Sequence, residues 1–264
     1  MIAFEKMHGN GNDFVVIDAL TSNITFSKAL VKKIAHRKLG VGCDQLIAIY
    51  PPKKKEDDFF IKFFNADGSQ ADMCMNGLRC VAYFIWENKL APKKVLNLGT
   101  KTKGIKAKLL KNSMIELSFD LPKIITLPRS VLNFLEKKGF KNSKAIDVGN
   151  KHLILRKTNL DTYDLANTDM VLRKNSFLND FNFSIIKITK NAINVRTSEH
   201  GAGETLACGS AAASIGFAYG KDDAKTTLKF RGGKITTIKA AKMRLIGPAV
   251  KLFEGRWESY KKKM

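Results

Sequence analysis

Two stretches constrain the fold most, because each delivers a cysteine from a polar turn directly into an apolar helix. In the first, "ADMCMNGLRCVAYFIWEN", Cys74 precedes Asn76 and Gly77. Leu78, Val81, Ala82, Phe84 and Ile85 then recur at the spacing of a core-facing helix. In the second, "GAGETLACGSAAASIGFAYG", Cys208 precedes Gly209 and Ser210, and a run rich in alanine and other small residues follows, as a closely packed helix requires. The cysteines stand 134 positions apart in a chain of 264 residues, about half its length. The layout this implies is duplicated: two similar lobes, each with a central helix that starts at a cysteine.

The flanking segments read mostly as strands. "MIAFEKMHG" and "DFVVIDA" are separated by a Gly-Asn-Gly-Asn turn at positions 9–12, and "FSKALVKKIAHRK" reads as a helix that ends at Gly40. "GVGCDQLIAIYPP" is a loop, holding Cys43, that enters a strand stopped by the double proline; "DDFFIKFFNADGS" is a further strand. Strands follow at "KVLNLGT", "KGIKAKLL" and "SMIELSF", with Pro122 as a break. The pattern then restarts at "KAIDVGNKHLIL", and "VLRKNSFLNDFNFSIIKITKNAINVRTSE" is a short helix or loop leading into paired strands. "TLKFRGGKITTIKA" and "RLIGPAVKLFEGRWESY" read as hairpins. The expected class is α+β, with two pseudosymmetric lobes, each a mainly antiparallel sheet or open barrel around its helix. The lobes span residues 1–117 and 118–264, leaving open a return of the last strand to the first lobe. The active site is expected in the cleft between them.

Composition narrows the chemistry. At 44% hydrophobic residues the chain can bury one large core or two modest ones. Its four cysteines, Cys43, Cys74, Cys80 and Cys208, contain no CxxC pair and no disulfide framework, so reduced thiols are expected and a zinc site is not. No His, Asp or Glu cluster has metal-ligand spacing, no glycine pattern forms a dinucleotide fingerprint, and no lysine is marked as a pyridoxal-phosphate anchor; no cofactor is expected. No stretch approaches the roughly 20 apolar residues of a membrane span, and the first residues lack a basic segment feeding a long apolar one. A cytoplasmic location without membrane association is the default expectation. The net charge of +22, from 46 basic and 24 acidic residues, is spread over short clusters such as "PPKKKEDD" and "KTKGIKAKLLKN" without an aromatic ladder. It reads as a lysine-rich solvated surface, with no specific nucleic-acid partner expected. A basic, non-catalytic binding module is the competing class, recognisable by salt-dependent nucleic-acid binding with no thiol requirement.

A helix N-terminus offers unpaired N–H groups and a positive dipole end, which lower a thiol pKa and bind anions. Two such termini aimed at one substrate carbon would place a sulfur on each side of it. That is what inversion at the α-carbon of an amino acid needs: one base and one acid, interchangeable so that both enantiomers react. Donors around the substrate carboxylate would stabilise the enediolate-like transition state.

Residues matching in order along nearly the whole chain carry a resemblance. The segments "KMHGNGNDF", "GVGCDQL" and "FFNADGSQADMCMNGLRC", the pattern of Gly149, Asn150 and His152, Asn182 in "FNF", "GAGETLACGS" and "GPA" at 247–249 resemble the diaminopimelate epimerases. These are cofactor-independent enzymes of lysine and cell-wall precursor synthesis, with two α+β lobes and commonly a homodimeric state. The resemblance implies Cys74 and Cys208 as the acid–base pair acting on LL-diaminopimelate. It implies a carboxylate pocket on the backbone of Met75, Asn76, Gly209 and Ser210. Contacts to the distal amino-acid end fall on Asn12, Asn65, Asn150 and Asn182, Glu199 recognises the substrate ammonium, and Gln45 and His152 orient or support the cysteines. Three positions depart from the family pattern. Met75 replaces a glycine beside the anion nest, Lys151 replaces a proline, and His200 replaces an arginine that grips the distal carboxylate. Histidine is shorter and mostly neutral at pH 7, so the neighbouring reading is a racemase or epimerase of another amino acid.

Overall fold

The computed structural model describes residues 1–21 and 24–258. The chain divides into two compact units, one of residues 1–117 with the chain from Pro248 onward, the other Ser118–Gly247.

In the first unit, strand Ile2–Gly9 reverses through Asn10 and Gly11, both at positive φ, and pairs antiparallel with Asn12–Asp18. Asn-Gly is the pair a two-residue hairpin selects, because both central positions need that conformation. A connection carrying helix α1 (Lys28–Ala35) leads to Gln45–Tyr50, parallel to Asn12–Asp18. Phe59–Asn65 returns antiparallel and takes the short strand Gln70–Ala71 beside it. Helix α2 (Met75–Glu87) follows, and Val95–Gly99 then runs parallel to Phe59–Asn65 and antiparallel to Gly104–Leu109.

The second unit repeats this order step by step. Lys144–Asp147 pairs antiparallel with Lys151–Arg156, and a connection carrying α4 (Leu165–Arg173) leads to the parallel strand Asn182–Ile188; α3 (Arg129–Lys137) precedes them. Ile193–Glu199 returns antiparallel with the short strand Gly203–Thr205 beside it, and α5 (Gly209–Tyr219) follows. Lys225–Phe230 then runs parallel to Ile193–Glu199 and antiparallel to Gly233–Lys239. Even the flanking strands match: Lys123–Ile125 pairs with Lys144–Asp147 as Val250–Trp257 pairs with Ile2–Gly9, both antiparallel. The fold is thus α+β and pseudosymmetric, as the two cysteine-led helices imply.

Three local readings are corrected. The segment "RLIGPAVKLFEGRWESY" is no hairpin. Only Ala249 separates Met243–Pro248 from Val250–Trp257, too short a link to reverse the chain, and the latter strand pairs with Ile2–Gly9 instead. Its last two residues lie outside the described part. The first helix stops at Ala35, because His36 turns to extended backbone and its Nδ1 accepts the N–H groups of Lys38 and Leu39. Helix α3, read from the sequence only as part of a break after Pro122, buries Val131 and Leu135. Among the described residues no helix is long and apolar enough to cross a membrane.

The two central helices are enclosed differently. Residues 75–82 of α2 are all buried, against Ile2–Gly9, Asn12–Asp18, Gln45–Tyr50 and Gly104–Leu109. Helix α5 packs so closely on Gly233–Lys239 that a Cβ on Gly216 would stand 2.1 Å from Thr237 Oγ1. This is why "GSAAASIGFA" holds small residues. Gly216→Ala is expected to destabilise the protein by about 1–3 kcal/mol, the usual cost of overpacking. Urea unfolding checks it; an unchanged midpoint would contradict the packing described.

Candidate active site

Each cysteine is the N-cap of its unit's central helix. Cys74 has extended backbone (φ −138°, ψ 115°), which turns its side chain back so that Sγ accepts the Gly77 N–H at 3.4 Å. Cys208 has nearly the same conformation (φ −124°, ψ 119°), and its Sγ accepts the Ala211 N–H at 3.5 Å. Each sulfur therefore sits where the first-turn N–H groups of a helix lack intrahelical acceptors. The surroundings of the two differ.

Around Cys74 the neighbours are amides. Asn12 Oδ1 lies 3.7 Å from Sγ and accepts from Asn76 Nδ2 at 3.4 Å, while Asn12 Nδ2 donates to Asp44 at 2.8 Å. Gln45 and Asn65, facing each other across the strands, form a second pair in which Gln45 Nε2 donates to Asn65 Oδ1 at 2.9 Å. Asn65 in turn donates to Ser69 at 3.0 Å. Met75 is the first residue of α2, buried, and absent from the residues at positive φ. A side chain in place of glycine is therefore accommodated there without backbone strain.

Around Cys208 the neighbours form a directional chain. Ser210 Oγ lies 3.2 Å from Sγ, 2.9 Å from His152 Nε2, and accepts from Asn150 Nδ2 at 3.2 Å. His152 is wholly buried and burial holds it neutral, its pKa lowered to about 3. With the ring proton on Nε2, both lone pairs of Ser210 are occupied and its hydroxyl proton points to the sulfur. The Cys208 thiol donates to Glu199 Oε2 at 3.2 Å, and Glu199 Oε1 accepts from Thr205 Oγ1 at 2.6 Å. Burial first, then the charge of Glu199, push the Cys208 thiol well above its ordinary range; the bonds from Ser210 and Ala211 oppose them. Cys208 is consequently a thiol at neutral pH, while Cys74 is only half-buried.

Asn182 and His200 are bonded to each other and to their neighbours. Asn182 Nδ2 donates to Lys151 O at 3.1 Å and its Oδ1 accepts from the His200 N–H at 2.9 Å. The His200 ring Nδ1 lies 3.0 Å from Arg173 Nη1 and 2.9 Å from Asn179 O. Arg173 is itself held by Asp169 through two bonds of 2.8 Å. Lys151 pairs with Asp180 at 2.8 Å. Arg173, Thr205 and Asp44 were not singled out in the sequence. Thr205 lay within the "GETLACGS" motif, whereas Arg173 stands 27 positions before His200 with no local signal. Among the described residues no group of three or more His, Cys, Asp or Glu is placed to hold a metal ion.

Neutral buried His152 has a consequence for stability. Its pKa is lower in the folded state than in the unfolded chain, so its contribution is present above about pH 6.5 and lost as the pH falls toward about 3. Stability should decline by about 1.4 kcal/mol per pH unit from this group in that window. Urea titrations at pH 7.5, 5.5 and 4.5 should show a steeper decline in the wild type than in His152→Gln. Equal slopes would contradict it.

Comparison with known proteins bears on the fold. A family model described as Diaminopimelate epimerase matches residues 4–116. A predicted epimerase from Pseudomonas aeruginosa is 13% identical with a TM-score of 0.74, covering 98% of this chain and 100% of that one. A phenazine biosynthesis protein of the PhzF family from Bacillus anthracis is 15% identical, TM-score 0.71, over 96% and 98%. A hydroxyproline epimerase from Agrobacterium vitis, with trans-4-hydroxy-L-proline bound, is 12% identical, TM-score 0.69, over 96% and 91%. The fold is therefore one shared with epimerases and with PhzF proteins.

Proposed function

We propose that this protein is a cofactor-independent amino-acid epimerase that interconverts LL- and meso-diaminopimelate by a two-cysteine mechanism. The observation that carries this reading is the pair of matched cysteine caps, each with its sulfur at the start of a central helix, in two units of the same strand order. The substrate carboxylate would sit on the first-turn backbone of Met75, Asn76, Gly209 and Ser210, with one sulfur on each face of the α-carbon. Asn12, Asn65, Asn150 and Asn182 would hold the distal end, and Gln45 and His152 would keep the site's polar groups in register. A homodimeric, cytoplasmic enzyme belongs to the same reading.

The resting charges favour one direction of assignment. With Cys208 a thiol, Cys74 as thiolate takes the α-proton of the LL-form while Cys208 gives its proton to the opposite face. The sulfurs thereby exchange roles, and the Ser210 hydroxyl and Ala211 N–H then stabilise the new thiolate. A substrate ammonium at Glu199 would neutralise the charge that now holds Cys208 protonated, so arrival of substrate prepares the acid.

A second reading is favoured by His200. The cation that its ring meets, Arg173, is answered by Asp169, which weakens it as a partner for a distal carboxylate and suits an amino acid without one. Chiral chromatography of LL- and meso-diaminopimelate, lysine, glutamate and histidine after incubation separates the readings. Inversion of diaminopimelate alone supports the first, inversion of lysine or histidine the second, and inversion of glutamate alone or of none refutes both.

A further inference from the structure

Arg79 is the largest wholly buried side chain among the described residues, on α2 five positions after Cys74. Its Nε donates to Pro248 O at 3.1 Å and its Nη2 to Asn10 Oδ1 at 2.8 Å, and Nη1 has no hydrogen-bond partner among the described residues. All of its described partners are neutral oxygens. Burial lowers its pKa only to about 10, so the charge persists at neutral pH. An unanswered ion in a protein interior costs several kcal/mol, and an anion met during function would offset that cost.

The position of the guanidinium says which anion. Arg79 Nη2 and Asn76 O both lie about 3 Å from the point a Cβ on Gly9 would occupy, so the guanidinium and the first turn of α2, the turn Cys74 caps, face the same spot beside Gly9. The neighbouring thiol, Cys80, is wholly buried and pushed up to about 12 by that burial, so it stays neutral. The charges on the surrounding segments answer one another. Glu5 pairs with Lys251, Asp13 with Lys6 and Arg37, and Asp44 with Arg37. His8 Nδ1 accepts from Gly11 N, Asp18 from Leu20 N, and Lys106 and Lys108 face solvent.

We propose that Arg79 is a positioning residue whose buried guanidinium is the fixed counter-charge of the Cys74 thiolate, making Cys74 the base of the pair. The inference rests on Cys74 serving as that base, and its test needs no substrate. Iodoacetamide labelling of Cys74, read by peptide mass spectrometry from pH 5.5 to 10 on the full chain, reports its thiolate fraction. Arg79→Met should move the labelling midpoint up by about one pH unit and slow labelling at pH 7 about tenfold, whereas Arg79→Lys should stay within about threefold of wild type. Should Arg79→Met fail to fold, Asn10→Asp decides. It sets a carboxylate on Nη2 at a positive-φ position that aspartate tolerates, and should move the midpoint the same way. A natively folded Asn10→Asp protein with an unmoved Cys74 midpoint overturns the proposal. An inactive wild type whose Cys74 midpoint still depends on Arg79 would refute the epimerase reading alone.

Discussion

Alanine in place of either Cys74 or Cys208 is expected to slow interconversion of LL- and meso-diaminopimelate by about 10²–10⁴, the usual loss when a positioned general acid or base is removed. Both variants should fold. Each sulfur accepts a first-turn N–H, at 3.4 and 3.5 Å, and loss of such a cap costs about 1 kcal/mol. Circular dichroism separates the two effects, and chiral chromatography reads the rate. The two losses should be similar, because inversion needs a proton taken from one face and another given to the opposite face. A variant that keeps wild-type turnover would remove its cysteine from the mechanism.

Glu199→Gln should lower kcat/KM by about 10²–10³, the scale of a lost charge-assisted contact at a reacting centre. Glu199 touches the Cys208 thiol with one oxygen while Thr205 fixes the other. Its charge is also the second cause, after burial, that keeps Cys208 protonated. The substitution should therefore make Cys208 more reactive toward iodoacetamide above pH 8 even as turnover falls. A packing defect would lower turnover without bringing the thiolate forward in pH. Unchanged reactivity would show that burial alone sets the protonation of Cys208.

The two cysteine caps were legible in the sequence because a helix start is a local event: a cysteine, then small or polar residues, then apolar residues at helical spacing. The strand order of each unit was partly legible for the same reason. What escaped were facts of long-range pairing. Val250–Trp257 looked like the second arm of a hairpin because alternation marks a strand without naming its partner. Helix α3 follows Pro128, which offers no capping hydrogen bond, so only its apolar spacing marks it. Arg173 reaches His200 from a separate helix, and nothing near either residue indicated that they would meet. Arg79 did leave a signal in "NGLRC", a lone charge within a mostly apolar stretch, yet its lack of a carboxylate partner among the described residues is visible only in three dimensions.

In the proposed mechanism a proton leaves the α-carbon on one face and another enters from a sulfur on the opposite face. Incubating the protein with LL-diaminopimelate in deuterated water and analysing early product by mass spectrometry tests this directly. Early meso-diaminopimelate should carry one deuterium at the inverted carbon, with no such early product from Cys74→Ala or Cys208→Ala. Inversion that keeps the original α-hydrogen, or folded, reduced protein that neither inverts nor exchanges the substrate, would contradict it.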